Sequence, residues 1–384
     1  MENSNILNIS GSILDRVLSS QASKDREGFD PITIVKEIID KNLLDKEADV
    51  VYLRHGLRGG ESKTLKDVGL VYNITRERVR QIEKAALNKL RAVASNNAGI
   101  NQAKILIHQA LEDNGGAMTE NSLLREVLAF TKKDDGEFTA LKFILKSILN
   151  DKFPYVAESV SYCAYWKTPL FSPALITKAA DLAKEILSPI GKPLSRTELW
   201  SEILKHENYQ IEWSQYNSKS FFSVLAISKK VRANIFDEWG LSIWKTIMPK
   251  RMNDKIYLIL KRCGKPLHFM TIADEINKAG FDKKKAYHAT IHNELILNKG
   301  RYILVGRGVY ALSEWGYRPG VVADVVKEVL SGNPQGLTKD QVIAEVLKKR
   351  QVRTGTIYLA LMNKNIFEKK GGKYYLKQQE TVVN

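Results

Sequence analysis

Cysteine is almost missing from this chain: 384 residues hold two, Cys163 and Cys263, far apart in sequence. That excludes a disulfide scaffold and any Cys-x-x-Cys metal knuckle, and it suits a reduced compartment. Long apolar runs are missing too. None approaches the roughly 18 residues that read as a bilayer span, so no membrane partner is expected. The opening MENSNILNIS has no basic segment ahead of an apolar stretch, so no secretory leader is expected. Only 10 prolines punctuate the chain, and 44% of it is apolar, which is globular rather than low-complexity composition.

The motifs of catalysis are equally scarce. There is no phosphate-cradling glycine loop with its lysine, no serine elbow, no HExxH pair and no paired-carboxylate constellation. The GRG at 306–308 reads as a hairpin turn. His288 and His292 are four apart on an expected helix, with Cys263 and His268 in the same stretch, but the spacing matches no standard zinc set and polar packing accounts for them. The expectation is a protein that is no enzyme, with no cofactor, no metal and no small-molecule substrate.

Acidic charge is in deficit: 43 Asp and Glu face 59 Lys and Arg, a net of +16. A polyanionic partner fits, and double-stranded DNA is the first choice. From Lys250 to Gln378 there are 25 Lys and Arg against 11 Asp and Glu, so most of the excess lies in the last third. With a reduced setting and a DNA partner, a cytoplasmic, nucleoid-associated location is expected.

The most informative stretch is Thr64 to Arg91, TLKDVGLVYNITRERVRQIEKAALNKLR. Its pattern predicts a helix-turn-helix: one helix from Leu65 to about Tyr72, a turn at Asn73 and Ile74, and a second helix from Thr75 to about Leu90. Thr64 and Thr75 are good N-caps, with Asp67 at capping-box spacing from Thr64. Gly69 permits a close crossing, and Asn73 tolerates a left-handed turn. Val68, Tyr72, Ile74, Val79 and Ile82 are the expected core. On the second helix Val79, Ile82, Ala86 and Leu90 make an apolar stripe. Glu77, Arg80, Gln81, Lys84, Asn88 and Arg91 lie opposite, with Arg76 on the first turn. Arg can pair with guanine, Glu can accept from cytosine and Gln can pair with adenine, so this face suits base reading. Charge alone favours a solvated face on an ordinary helical hairpin.

The stretch closely resembles the fourth conserved region of the primary bacterial sigma factors, over roughly Leu43 to Val93, including VVYLRHGL and TRERVRQIEKAALNKLR. The resemblance implies a module that reads the −35 promoter element. It implies base contacts from Arg76, Glu77 and Gln81 and phosphate contacts from Arg54, Arg78 and Arg80. Thr64, Thr75 and Lys84 join these as candidate phosphate contacts. Ala85 and Asn88 depart from the family's more basic pattern. The resemblance also implies RNA polymerase core, through its β flap, as a partner. No counterpart of the sigma segments that melt the −10 element is seen, so a complete sigma factor is not expected.

The rest of the chain repeats. SLLREV, ELWSEI, TIADEI and QVIAEV each end a helical pattern, with glutamates at 126, 202, 275 and 345, spaced 76, 73 and 70 apart. Each is followed by a third helix and an alternating run: VAESVSYCAYW, IFDEWGLSIWK, ILVGRGVYALSEW and IFEKKGGKYYLK. Three helices and a two-stranded wing predict a winged helix. Aromatics such as Trp166, Trp244, Trp315 and Tyr375 recur on the wings, where covering the core accounts for them better than base stacking does. The third repeat, GKPLHFMTIADEINKAGF and then ATIHNELILNKGRYILVGRGVYALSEW, resembles the HARE-type winged helix, found among others in the delta subunit of bacterial RNA polymerase.

The expected fold is mainly α with small β-wings: a sigma-region-4-like helix-turn-helix followed by four tandem winged-helix domains. The expected boundaries are a flexible arm at 1–31, the sigma-like module at 32–93, a linker at 94–103, and winged helices at 104–169, 174–249, 251–317 (HARE-type) and 319–378, then a tail at 379–384. Within the repeats the candidate phosphate contacts are Lys283, Lys284, Lys285, Arg301, Arg307, Arg353, Lys370 and Lys373; Arg350 and Lys369 belong to the same clusters. The function expected is a DNA-binding transcription regulator. The alternatives are a polymerase-interaction protein that occupies the flap without reading DNA, and an accessory subunit of a DNA defence or restriction system.

Overall fold

The computed structural model describes residues 28–131, 134–207, 209, 213–317, 322–349, 352, 354–363 and 366–377. The expected arm up to residue 27, Arg350, Arg353 and the tail lie outside them. The architecture is mainly helical with small antiparallel sheets. By contact density the described residues fall into two compact units: everything up to Ala233 with Trp239–Ser242, and Asn234–Glu238 with everything from Ile243 onward.

The first unit opens with α1 (Pro31–Asn42), α2 (Asp45–His55), α3 (Leu65–Tyr72) and α4 (Arg76–Ala94). Asp30 caps α1 by accepting from the amides of Ile32 and Thr33, and proline at the first turn removes an N–H that would have had no partner. Thr64 and Asp67 close a capping box on α3, and Thr75 accepts from the Arg78 amide to start α4. Asn73 ends α3 in the left-handed region at φ 52°. Gly69 is required by a close approach, though not to the second helix as a whole: a Cβ there would lie 2.7 Å from the Ile74 carbonyl oxygen, in the turn itself. Val50, Val68 and Val79 form a small core, with Leu53, Leu65, Tyr72, Ile74 and Ile82 packed against it.

Residues 94–103 do not behave as a linker. Asn97 caps α5 (Ala98–Asp113), and Ile100, Ala103, Leu106, Ile107, Ala110 and Leu111 are buried along it. One continuous core runs from Phe29 and α1 through Ala86, Leu90 and Ala94 of α4 to Leu141, Ile148 and Trp166 of the first repeat. Full burial of a side chain such as Leu90 contributes about 1.5–3 kcal/mol, so this shared core fastens the helix-turn-helix to its neighbour.

Four times the chain then traces helix, short strand, helix, helix and hairpin. The first repeat has α5, β1 (Ala117–Thr119), α6 (Glu120–Val127), α7 (Asp135–Phe143, running on into a π turn at Ile144–Ile148), β2 (Tyr155–Val156) and β3 (Tyr165–Lys167). The second has α8 (Ala174–Ile190), β4 (Leu194–Ser195), α9 (Arg196–Lys205), α10 (Ser218–Leu225), β5 (Val231–Ala233) and β6 (Glu238–Leu241). The third has α11 (Met252–Cys263), β7 (Leu267–His268), α12 (Phe269–Ala279), α13 (His288–Leu297), β8 (Tyr302–Gly306) and β9 (Val309–Leu312). The fourth has α14 (Val322–Ser331), β10 (Leu337–Thr338), α15 (Lys339–Lys349), α16 (Thr354–Leu361), β11 (Phe367–Lys370) and β12 (Lys373–Leu376). In every repeat the third strand lies between the first and the second, and each hairpin pairs antiparallel. Thr119 and Ser195 accept from the backbone amides of Ser122 and Glu198 and so turn each short strand into a helix.

The second hairpin starts earlier than its sequence pattern predicts. Its strands flank a turn at 234–238, where Asn234 Oδ1 accepts from the amides of Phe236 and Glu238 and Asp237 takes φ 58°. The expected first strand, from Ile235, is therefore that turn, and Val231–Ala233 pairs instead with Trp239–Leu241.

Candidate nucleic-acid interface

Helix α4 is amphipathic in the way a groove-reading helix requires. Val79, Ala86 and Leu90 are buried, while Arg76, Glu77, Arg78, Arg80, Gln81, Lys84 and Asn88 are exposed. Thr75 is exposed at its start and Thr64 at the start of α3, so the two N-termini offer backbone amides and positive dipole ends.

The exposed face is ordered by its own pairs. Arg80 donates to both carboxylate oxygens of Glu77, Nε at 2.9 Å and Nη2 at 2.6 Å. That hydrogen bond holds the Glu77 carboxyl below its ordinary range. Arg78 Nη1 donates to Gln81 Oε1 at 3.3 Å. Four cations, Arg76, Arg78, Arg80 and Lys84, and two amides, Gln81 and Asn88, are thus exposed on α4, and Glu77 cancels a single charge.

Two arginines expected on that side are used inside. Arg54 pairs with Glu83, Nε to Oε2 at 3.2 Å, and its Nη1 donates to the Lys63 carbonyl, which ties the end of α2 to α4 and to the approach of α3. Burial would push the Glu83 carboxyl up, but His55, 3.2 Å away, and the hydrogen bond from Arg54 outweigh it and the carboxyl is held low. Arg91 donates Nε to the Ser147 carbonyl oxygen at 2.7 Å, in the π turn of the first repeat. Periodicity places Arg91 on the polar side but cannot show that a second domain covers that end.

In the third repeat Lys283, Lys284 and Lys285 are exposed on the segment before α13, and Arg307 is exposed at the hairpin tip. Arg301 is committed inward: Nη1 donates to Asn253 Oδ1 at 2.7 Å, Asp254 lies 3.7 Å away, and the guanidinium covers the Tyr257 ring. In the fourth repeat Lys370 pairs with Glu368 at 2.8 Å, Lys369 and Lys370 are exposed and Lys373 is half-buried. His268 and His292 flank Phe269, at centroid distances of 4.5 and 4.8 Å, and His288 faces Asp274. Among the described residues no three His, Cys, Asp or Glu side chains come together as a metal site, and no helix is long and apolar enough to cross a membrane. Lys255, buried in α11 against Asp282, is a charged residue that sequence reasoning missed, because nothing in the helical period marks a buried ammonium.

Residues 41–92 match the family described as Sigma-70, region 4. The RNA polymerase sigma factor SigA of Nostoc sp. is 49% identical over 57 residues, 15% of this chain and 14% of that protein. SigA of Microcystis aeruginosa is 53% identical over 55 residues, 13% of each chain. SigA of Synechocystis sp. is likewise 53% identical over 55 residues, again 13% of each. The chain thus spans less than one sixth of the length of these relatives. Residues 41–92 are therefore a sigma-70 region 4 segment, folded as a helix-turn-helix.

Proposed function

We propose that the chain is a DNA-binding transcription regulator in which α4 enters the major groove and reads a −35-like promoter sequence. The observation that carries this is the open face of α4, with Arg76, Glu77, Arg78, Arg80, Gln81 and Lys84 exposed within the region 4 segment. Arg76, Glu77 and Gln81 contact base edges; Thr64, Thr75, Arg78, Arg80 and Lys84 hold phosphates. Arg54 reaches a phosphate only by exchanging its Glu83 partner, and otherwise sets the angle of α2 against α4. The four repeats are winged helices, the third of HARE type. The strand order shared by their sheets and the three helices beside each support that reading. Lys283–Lys285, Arg307, Lys370 and Lys373 hold flanking phosphates, giving salt-sensitive affinity. No catalytic step is assigned to the chain.

A second reading, docking on RNA polymerase without reading DNA, is favoured by Leu70 and Val71 of α3, which are 72% and 57% exposed on the first helix of the helix-turn-helix. One experiment separates the two: base-pair-specific binding measured without polymerase. Under the first reading Gln81→Ala relaxes the preference at one base step by about 1–3 kcal/mol. A change confined to polymerase binding would establish the second.

A further inference from the structure

The third repeat holds a charged pocket remote in sequence from α4. It measures about 270 Å³ and opens where α11, α12 and residues 281–285 meet. Ile276 and Phe281 supply apolar wall. The charged lining is Lys255, Lys283, Lys284 and Lys285 against a single acid, Asp282.

Lys255 is the unusual member. Its side chain is 3% exposed, and Nζ lies 2.7 Å from Asp282 Oδ2. Lysine is almost never buried without a partner, so Asp282 is committed to it. The other carboxylate oxygen of Asp282 accepts from the Lys284 amide at 2.9 Å, which folds the three-lysine segment back over the pocket. The hydrogen bond from Lys255 keeps the Asp282 carboxyl below its ordinary range, so it is ionised and cancels one ammonium. Three positive charges on successive residues are left with no acid among the lining side chains. Together they make a concentrated positive field at the pocket mouth, which attracts an anion.

We propose that this pocket binds a phosphate group, with the Lys255–Asp282 pair as its fixed base and Lys283, Lys284 and Lys285 closing on the oxygens. Ammonium groups act as point charges with several donors each, which suits a multi-oxygen anion approached from several directions. The phosphate comes either from a nucleic-acid backbone or from a small phosphorylated molecule. The inference deepens the phosphate-contact reading of the third repeat and does not depend on what α4 reads.

The test uses the full chain and a Lys283→Gln/Lys284→Gln/Lys285→Gln variant, whose altered side chains are exposed and leave the buried pair intact. Inorganic phosphate, titrated at constant ionic strength against chloride, raises the Tm of the wild type and not of the variant if a free phosphate fills the pocket. If the backbone supplies it, the dependence of affinity for a non-promoter duplex on salt becomes shallower in the variant, by about 0.9 in log–log slope per phosphate released. Either loss supports the site and names its source. Equal Tm shifts together with equal salt slopes in the two proteins would overturn it. Base preference, scored on the same duplexes, reports on α4 alone, so failure of promoter reading is distinguishable from failure of the pocket.

Discussion

Arg91 Nε and the Ser147 carbonyl oxygen are 2.7 Å apart, a bond that joins the last turns of α4 to the π turn of the first repeat. Arg91→Ala removes the donor and leaves a half-buried carbonyl to find another partner. A loss of about 1–3 kcal/mol in unfolding free energy is expected, read as a lower denaturant midpoint at constant m-value. Base preference should be unchanged, since Arg91 is bonded to the first repeat and is not one of the proposed base contacts; an unaltered midpoint would show that the bond contributes nothing.

The Glu77–Arg80 pair gives a prediction on the DNA side. Glu77→Gln releases the Arg80 guanidinium from its two bonds and removes the one acid on the open face. Affinity for unrelated duplex should rise and its salt dependence steepen by about one unit of log–log slope. Discrimination at the base read by Glu77 should fall by about 1–3 kcal/mol. Competition binding at several salt concentrations measures both, and unchanged discrimination would remove Glu77 from the reading set.

A third prediction concerns acid. The Glu83 carboxyl is held below its ordinary value of 4.5 by His55 and Arg54, against the effect of burial. A carboxyl lowered in the folded state adds stability that is fully present above 4.5 and disappears as pH falls through its lower folded value. Glu83→Gln should therefore be the less stable protein at neutral pH, with the gap to wild type closing below pH 4.5. A gap that stays constant down to the acid transition would disprove the linkage.

Much of this site was legible before any coordinates. The bounds of α3, the start of α4, the left-handed Asn73 and the buried face of α4 follow from capping chemistry and a 3.6-residue period, both local properties, whereas α4 runs on to Ala94, a turn past the expected Leu90. The alternation of helices and hairpins in the repeats was visible for the same reason. What was not legible is what one segment does to another. Residues 94–103, small and polar, look like a linker, yet Asn97 is a cap and α5 begins at Ala98. Arg54, Arg91 and Arg301 are indistinguishable in sequence from solvent-facing cations, and each is turned inward by a partner distant in the chain, Glu83, Ser147 and Asn253. Hairpin two was misplaced because Ile235 and Phe236 read as strand, whereas Asn234 bends the backbone there.

The apolar core that runs unbroken from Phe29 to Trp166 bears on how this module can be handled. A fragment trimmed to the stretch that matches sigma region 4, residues 41–92, would lose all but the end of α1 and bare the underside of α4, and such a piece invites aggregation. A piece that keeps the underside of α4 covered carries α1 and the first repeat with it, through β3 near residue 167.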